Sequence, residues 1–420
     1  MAGHAASFYS CHLPNVGSPR GGGRVRYALA GRNEEKLRRV HAECGCGPDV
    51  DIFVAGAEDE AALAAFVSRT KVVVALAGPF KFHSDIVVGL CARLGTHYVD
   101  ITGEVAWVRS VIDRYDEVAR STGALICNCC GFDSVPFDLG AQFAINRLRA
   151  RGTASSIRRV SAYSVMGGPS GPGMLISGGT LTSGASMQQV QLTKGVDKDD
   201  PFLLGGLPKG GPREEDTDAS THEVRKLGEG LYCGPSMMHS VNSRLVRRSA
   251  RLLRWGPAFN FAEVMPVPSE RAAAKLVKRA RAPAPPEVVE QLMAAGRLPK
   301  PGEGPLPEVR RVTRFATVLE CTADDGSSLV ATVRGGEAGY EEASRMVLEA
   351  ALALVEEPHC CPGAATGGCL TTAAAFGETL IRRLGQVGIA FAVESRSVAA
   401  VVSEAFREGA ERAAAAGSKL

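Results

Sequence analysis

Apolar positions in the first third of the chain fall into short continuous runs separated by stretches with helical spacing. Val25–Ala30 (V-R-Y-A-L-A), Val50–Ala55, Val72–Ala77, His97–Ile101 and Ala124–Asn128 read as strands. Between them Glu34–Cys44, Glu58–Ser68, Ser84–Leu94 and Val105–Ser121 read as helices, and Pro136 opens a further helix to about Leu148. The end signals agree: Asn33 is placed to cap, Gly95 and Gly123 to terminate, and proline suits a first helical turn. Val72–Ala77 has no polar alternation and is rich in β-branched residues, so it predicts a strand buried on both faces of a parallel sheet. Strand and helix alternating in this way predict a doubly wound α/β domain over residues 24–150.

Beyond Arg151 the rhythm is lost. Ile157–Val165 predicts a strand, Met166–Gly173 a Gly/Pro loop and Ser177–Val190 a helix. Charge, glycine and proline over residues 194–220 predict a mobile loop. Ser236–Leu253 reads as a helix, and the prolines of Ala282–Pro307 predict extended structure. Arg311–Thr322 and Ser327–Arg334 flank Asp324, Asp325 and Gly326, the pattern of a β-hairpin. Gly339–Val355 and Leu370–Leu384 read as helices and Ile389–Glu394 as a last strand. The division expected is residues 1–23 without usable pattern, 24–150 as a dinucleotide-binding domain, 151–400 as a second α/β (α+β) domain for substrate or dimerisation, and 401–420 as a helix and tail.

Composition narrows the function. The 420 residues are 45% hydrophobic and 22% charged, with a net charge of +3. That is ordinary for a globular protein, and the absence of a basic run argues against a nucleic-acid partner. No apolar run is long enough to span a bilayer as a helix, and the first residues lack the charge-then-apolar pattern of a signal peptide. Twelve cysteines without such a signal point to a reducing compartment, and none has zinc spacing with nearby histidines, so no metal is expected. The chain ends in Ser418, Lys419 and Leu420, the tripeptide read by the peroxisomal import receptor. A microbody location is therefore expected, with lipid droplet or mitochondrion as alternatives.

Candidate chemistry gathers at the strand ends. The first strand runs into Gly31, Arg32 and Asn33, with Lys36 one turn on. In a dinucleotide fold this corner meets the adenosine ribose, and an arginine there suits the 2′-phosphate of NADP. Gly78, Pro79 and Phe80 leave the carboxyl end of the Val72 strand, where a wall of the cofactor cleft belongs; an ordinary strand-to-helix turn has the same pattern. Asp100, Thr102, Gly103 and Glu104 leave the next strand, and Asp133 and Ser134 the one after. Asp133 and Ser134 either face the nicotinamide side of the cleft or cap the helix opened by Pro136. His97 begins its strand, on the opposite edge, and is read as structural. No catalytic acid stands out, and hydride transfer requires no protein nucleophile.

The blocks A-L-A-G-R-N-E-E-K-L, A-L-A-G-P-F, G-T-H-Y-V-D-I-T-G-E and C-G-F-D-S-V-P-F-D-L-G together resemble the saccharopine dehydrogenase-like oxidoreductases, whose trans-acting enoyl reductases serve lipid assembly. The resemblance continues through S-G-G-T-L-T-S, V-N-S-R-L-V-R-R-S and A-A-A-F-G-E-T-L-I-R-R-L, covering about residues 24 to 393. It implies a Rossmann-type NADP domain, a C-terminal α/β domain, and a lipid or acyl substrate in glycolipid or related lipid metabolism. A homodimer is compatible with it. The family places a strand and the loop G-A-T-G-F-T-G before A-L-A-G-R; here only 23 residues precede Arg24, and their G-S-P-R-G lacks the spacing that cradles a pyrophosphate. The doubly wound sheet is therefore expected to be incomplete. Three functions are compatible: an NADP(H)-dependent oxidoreductase, a lipid-associated scaffold that has lost the cofactor, and a saccharopine dehydrogenase of lysine metabolism.

Overall fold

The computed structural model describes residues 25–152, 155–168, 197–300 and 303–417. The helix expected at Ser177–Val190, most of the loop Met166–Gly173 and the terminal Ser418–Leu420 lie outside them. In chain order the elements are β1 (Ala28–Gly31), α1 (Glu34–Glu43), β2 (Asp51–Val54), α2 (Glu60–Val67), β3 (Val72–Ala75), α3 (Phe80–His83), α4 (Asp85–Leu94), β4 (His97–Asp100), α5 (Val105–Thr122), β5 (Leu125–Cys127) and α6 (Val135–Ala150). There follow β6 (Ile157–Gly167), β7 (Arg225–Gly228), β8 (Leu231–Pro235), α7 (His239–Leu252), β9 (Asn260–Val267), α8 (Glu270–Arg281), α9 (Pro286–Ala294) and α10 (Pro307–Val312). The last are β10 (Arg314–Ala323), β11 (Ser328–Gly335), α11 (Ala343–Glu356), β12 (Gly368–Leu370), α12 (Thr372–Phe376), α13 (Glu378–Gln386), β13 (Ala390–Glu394) and α14 (Val398–Gly417).

The chain divides into two units. The first comprises residues 25–102, 110–131 and 340–383. It holds a parallel pair β1–β2 and a separate four-stranded parallel sheet in the order β12-β5-β4-β3. The parallel α/β class is as expected, but two expectations are corrected. The domain does not end near residue 150: β12 pairs with β5 (Gly368 opposite Leu125), and α11 packs on β3 and β4. Nor is β3 buried on both faces; all four of its residues are half-buried. Among the described residues β3 has one hydrogen-bonded neighbour, β4, and no strand joins it to β1–β2.

Local signals in this unit act as read. Asn33 Oδ1 accepts from the Lys36 N–H at 2.8 Å and starts α1. Gly95 ends α4 in the left-handed region at φ 73°. His97 Nδ1 accepts from the Leu125 N–H at 3.0 Å, tying β4 to β5 at the edge away from the cleft. A buried ion cluster closes the unit: Arg383 meets Glu349 at 2.7 Å, Glu357 at 2.8 Å and Glu356 at 2.9 Å.

The second unit comprises residues 103–109, 132–339 and 384–417 where described. Its seven-stranded sheet has the order β13-β11-β10-β6-β9-β8-β7, antiparallel except for the pair β6–β9. Helices cover both faces of β10. Val318 packs with Val398, Val401 and Val402 of α14, while its neighbour Leu319 lies under Gly140 of α6. Successive residues point to opposite faces, so a strand covered on both sides is apolar throughout. A Cβ on Gly409 of α14 would stand 2.6 Å from the Gly167 Cα, so the helix crosses β6 at backbone distance. The hairpin at Asp324–Gly326 is confirmed, with Thr322 opposite Ser328.

Three further expectations are corrected here. Residues 197–220 are largely irregular but not loose: Phe202, Leu203 and Leu204 are buried, and four guanidinium groups bind backbone carbonyls of the segment. They are Arg244 on Asp199, Arg247 on Pro201, Arg109 on Leu203 and Arg248 on Leu204. Proline at 286 and 307 starts α9 and α10 rather than imposing extended structure, because a first helical turn has no use for the missing N–H. Leu370–Leu384 is strand β12 followed by two helices broken at Gly377, where φ is 53°.

Candidate functional site

The parallel strands of the first unit send their carboxyl ends into the loops that carry most of the candidate residues. Arg32 and Lys36 are exposed at the end of β1, and among the described residues no acid pairs with Arg32. Asn33 is occupied as the cap of α1. After β3, Gly78 is exposed and joined to Pro79 by a cis peptide bond; Pro79 precedes α3. Phe80 is 4% exposed and belongs to the core, so only Gly78 and Pro79 are open to a ligand.

After β4 the Asp100 carboxylate acts as a strut. It accepts from the Thr102 and Cys129 N–H groups at 3.0 Å each and from Asn128 Nδ2 at 2.6 Å. These bonds tie the loops after β4 and β5 together and hold Cys129 in the left-handed region at φ 63°. Burial raises the Asp100 pKa to about 6, against the pull of the three bonds.

Asp133 and Ser134 belong to the second unit. Asp133 is half-buried, and burial raises its pKa to about 6. Ser134 occupies the N-cap position of α6 without the expected capping bond; its Oγ is buried and has no partner among the described residues. A second buried carboxylate of this unit is Glu263 of β9, which is 1% exposed. Glu263 accepts from Ser236 Oγ at 2.5 Å and from Asn242 Nδ2 at 2.7 Å, and its N–H donates to His239 Nδ1 at 3.1 Å. Burial raises its pKa to about 7; Ser236 and Asn242 oppose the rise and Asp133 adds to it. Sequence reading missed this residue. The available signal was one acid in the apolar strand F-A-E-V-M, three residues after another buried polar side chain, Asn260.

The donor set at the end of β1 fits NADP: an exposed guanidinium beside an exposed lysine suits a phosphate monoester. No glycine-rich phosphate loop followed by a helix occurs among residues 25–152. No group of three or more metal-binding side chains occurs among the described residues. Among the described residues no helix is long and apolar enough to cross a membrane.

Comparison with known proteins agrees with this architecture. Residues 22–127 match the saccharopine dehydrogenase NADP-binding domain. A candidate trans-acting enoyl reductase of Mycobacterium tuberculosis is 32% identical over 402 residues, spanning 88% of this chain and 91% of the relative. A trans-acting enoyl reductase of Mycobacterium ulcerans is 28% identical over 393 residues, spanning 87% and 90%. The solved structure of the L-glutamate-forming saccharopine dehydrogenase of Saccharomyces cerevisiae superposes with a TM-score of 0.52 at 12% identity, covering 94% of this chain and 98% of that one. The chain belongs to the saccharopine dehydrogenase-like oxidoreductases, in the company of the trans-acting enoyl reductases.

Proposed function

We propose that the chain is an NADP(H)-dependent oxidoreductase that acts on a lipid or acyl intermediate. The observation that carries the reading is the NADP-domain match over residues 22–127, with Arg32 exposed at the end of β1 where an adenosine 2′-phosphate is held in such folds. In this reading Arg32 and Lys36 bind that phosphate, Asn33 orders the first turn of α1 beneath it, and Gly78 and Pro79 line the cleft with Phe80 as their buried anchor. The bound cofactor supplies a hydride. The acyl character of the substrate rests on the names of the relatives.

Titration of NADPH fluorescence tests the reading. NADPH binding tighter than NADH is expected, with Arg32→Ala removing about 10- to 100-fold of the NADPH affinity and leaving NADH unchanged, as for loss of a charge-assisted contact. Failure of the natural protein to bind either cofactor rejects the oxidoreductase. That result favours a lipid-associated scaffold. For Ser418, Lys419 and Leu420 we propose recognition by the peroxisomal import receptor. A tagged chain lacking the three residues then stays outside microbodies, and unchanged import rejects the address.

A further inference from the structure

Ala316 and Val318 of β10 lie under α14, but four residues on from Val318 the same face of the sheet is only half-buried, at Thr322. There three strands set a polar row side by side. Thr322 of β10 is opposite Arg159 of β6, and Arg159 is opposite Asn260 of β9. With Arg158 and Glu215 these residues line a cavity of about 170 Å³ that lies wholly within the second unit. Its free charge is positive. Glu215 is taken by Arg213 at 2.9 Å, whereas among the described residues no acid pairs with Arg158 or Arg159. Arg159 Nε donates to Ser161 Oγ at 3.0 Å, which holds the guanidinium and leaves its two terminal nitrogens to other acceptors. Asn260 is 1% exposed, and its amide has a fixed orientation: Nδ2 donates to the Glu215 carbonyl at 3.1 Å and to Asp216 Oδ1 at 2.8 Å. Its Oδ1 is buried and has no partner among the described residues. A buried acceptor left unpaired is costly, and such atoms mark places that a bound group completes.

We propose that this cavity binds a phosphate that carries an O–H, either hydrogen phosphate itself or a phosphate monoester with a hydroxyl on its alcohol. Arg158 and Arg159 supply the charge-assisted bonds that phosphate oxygens take from guanidinium groups, and the Thr322 hydroxyl adds a further donor. Asn260 Oδ1 accepts the O–H of the ligand. This acceptor sets the selectivity: sulfate is fully ionised at neutral pH, brings no hydrogen, and meets Oδ1 lone pair to lone pair. A single water needs about 10–15 Å³ of such space, so a phosphate with a short alcohol fits. The site depends on neither the hydride chemistry nor the corner at Arg32, which belongs to the first unit.

Calorimetric titration of the full-length protein at constant ionic strength tests the site, with inorganic phosphate, glycerol 3-phosphate and sulfate as probes. Both phosphates are expected to bind saturably, and sulfate about 10-fold more weakly, the scale of a buried acceptor left unsatisfied. Arg158→Gln and Arg159→Gln are each expected to lower phosphate affinity about 10- to 100-fold. Arg158 is exposed, so its variant keeps the fold, and an unchanged thermal midpoint without phosphate checks this. Arg32→Ala should leave phosphate affinity as it is; a loss there places the ion at the end of β1 and overturns the proposal. Sulfate binding as tight as phosphate, full affinity in both arginine variants, or no saturable binding of either phosphate overturns it equally. Given binding here, tighter glycerol 3-phosphate identifies an ester as the ligand, and tighter phosphate identifies the free ion. NADPH titration reads Arg32 and the oxidoreductase separately, so either reading can fail without the other.

Discussion

Buried acids occur in both units, and the groups around each one set its character. In the first, burial works against the Glu357 carboxylate, but Arg383 and Arg382 outweigh it and its pKa ends below the ordinary value. Glu349 of the same cluster is raised by burial and only partly brought back by Arg383. In the second, Glu263 meets a hydroxyl and an amide but no cation among its hydrogen-bond partners, and burial raises its pKa to about 7. Burial is common to all three; the presence of a cation separates a structural clamp from a group that can hold or release a proton near neutral pH.

Removing the cation gives the largest contrast. Arg383→Met should cost about 3–5 kcal/mol in chemical denaturation, because Glu349 remains buried without a counter-ion and Glu357 keeps only Arg382. Glu263→Gln should cost far less, since the amide replaces a group already near neutrality. A large loss there would show that Glu263 is ionised and that the comparison is wrong.

Stability against pH comes next. The folded pKa values of Glu263 and Asp133 lie above their ordinary values, so the folded state binds more protons between them. Their contribution is complete below about pH 4, is lost as pH rises through about 6 to 7, and amounts to a few kcal/mol. Urea midpoints across this range should fall as pH rises, and Glu263→Gln should flatten the slope. Gly409→Ala, which touches no acid, should cost about 1–3 kcal/mol by forcing α14 off β6, with the pH slope kept. The smallest effect belongs to an exposed pair: Arg38→Ala, which frees Glu34 on the surface of α1, should change the thermal midpoint by no more than a loss of about 0.5 kcal/mol would.

The elements most legible in sequence were those fixed by neighbouring residues. Asn33, Gly95 and the Asp324–Gly326 turn act within a few positions of themselves, and each was placed correctly. Features fixed by distant partners were not. Residues 197–204 look loose in composition, yet their carbonyls are held by arginines on α5 and α7. Gly368–Leu370 is too short for a two-residue period to declare it a strand, and only β5 makes it one. Arg32, Asp133 and Ser134 stand as candidates because strand ends in parallel sheets are where ligands gather. Glu263 lies in the middle of a strand, where no such rule points, and its bonds with Ser236 and Asn242 depend on packing of residues more than 20 positions away in the chain.

The pairing of β12 with β5 bears on how the chain is made. Leu125 waits for Gly368, so the parallel sheet of the first unit is unfinished until residue 368 has left the ribosome. Its far edge is then exposed while six of the seven strands of the second unit's sheet are made, when an unpaired strand is most open to wrong partners. A fragment cut near residue 150 resembles a domain in sequence but lacks both that last strand and the helix α11 that covers β3 and β4.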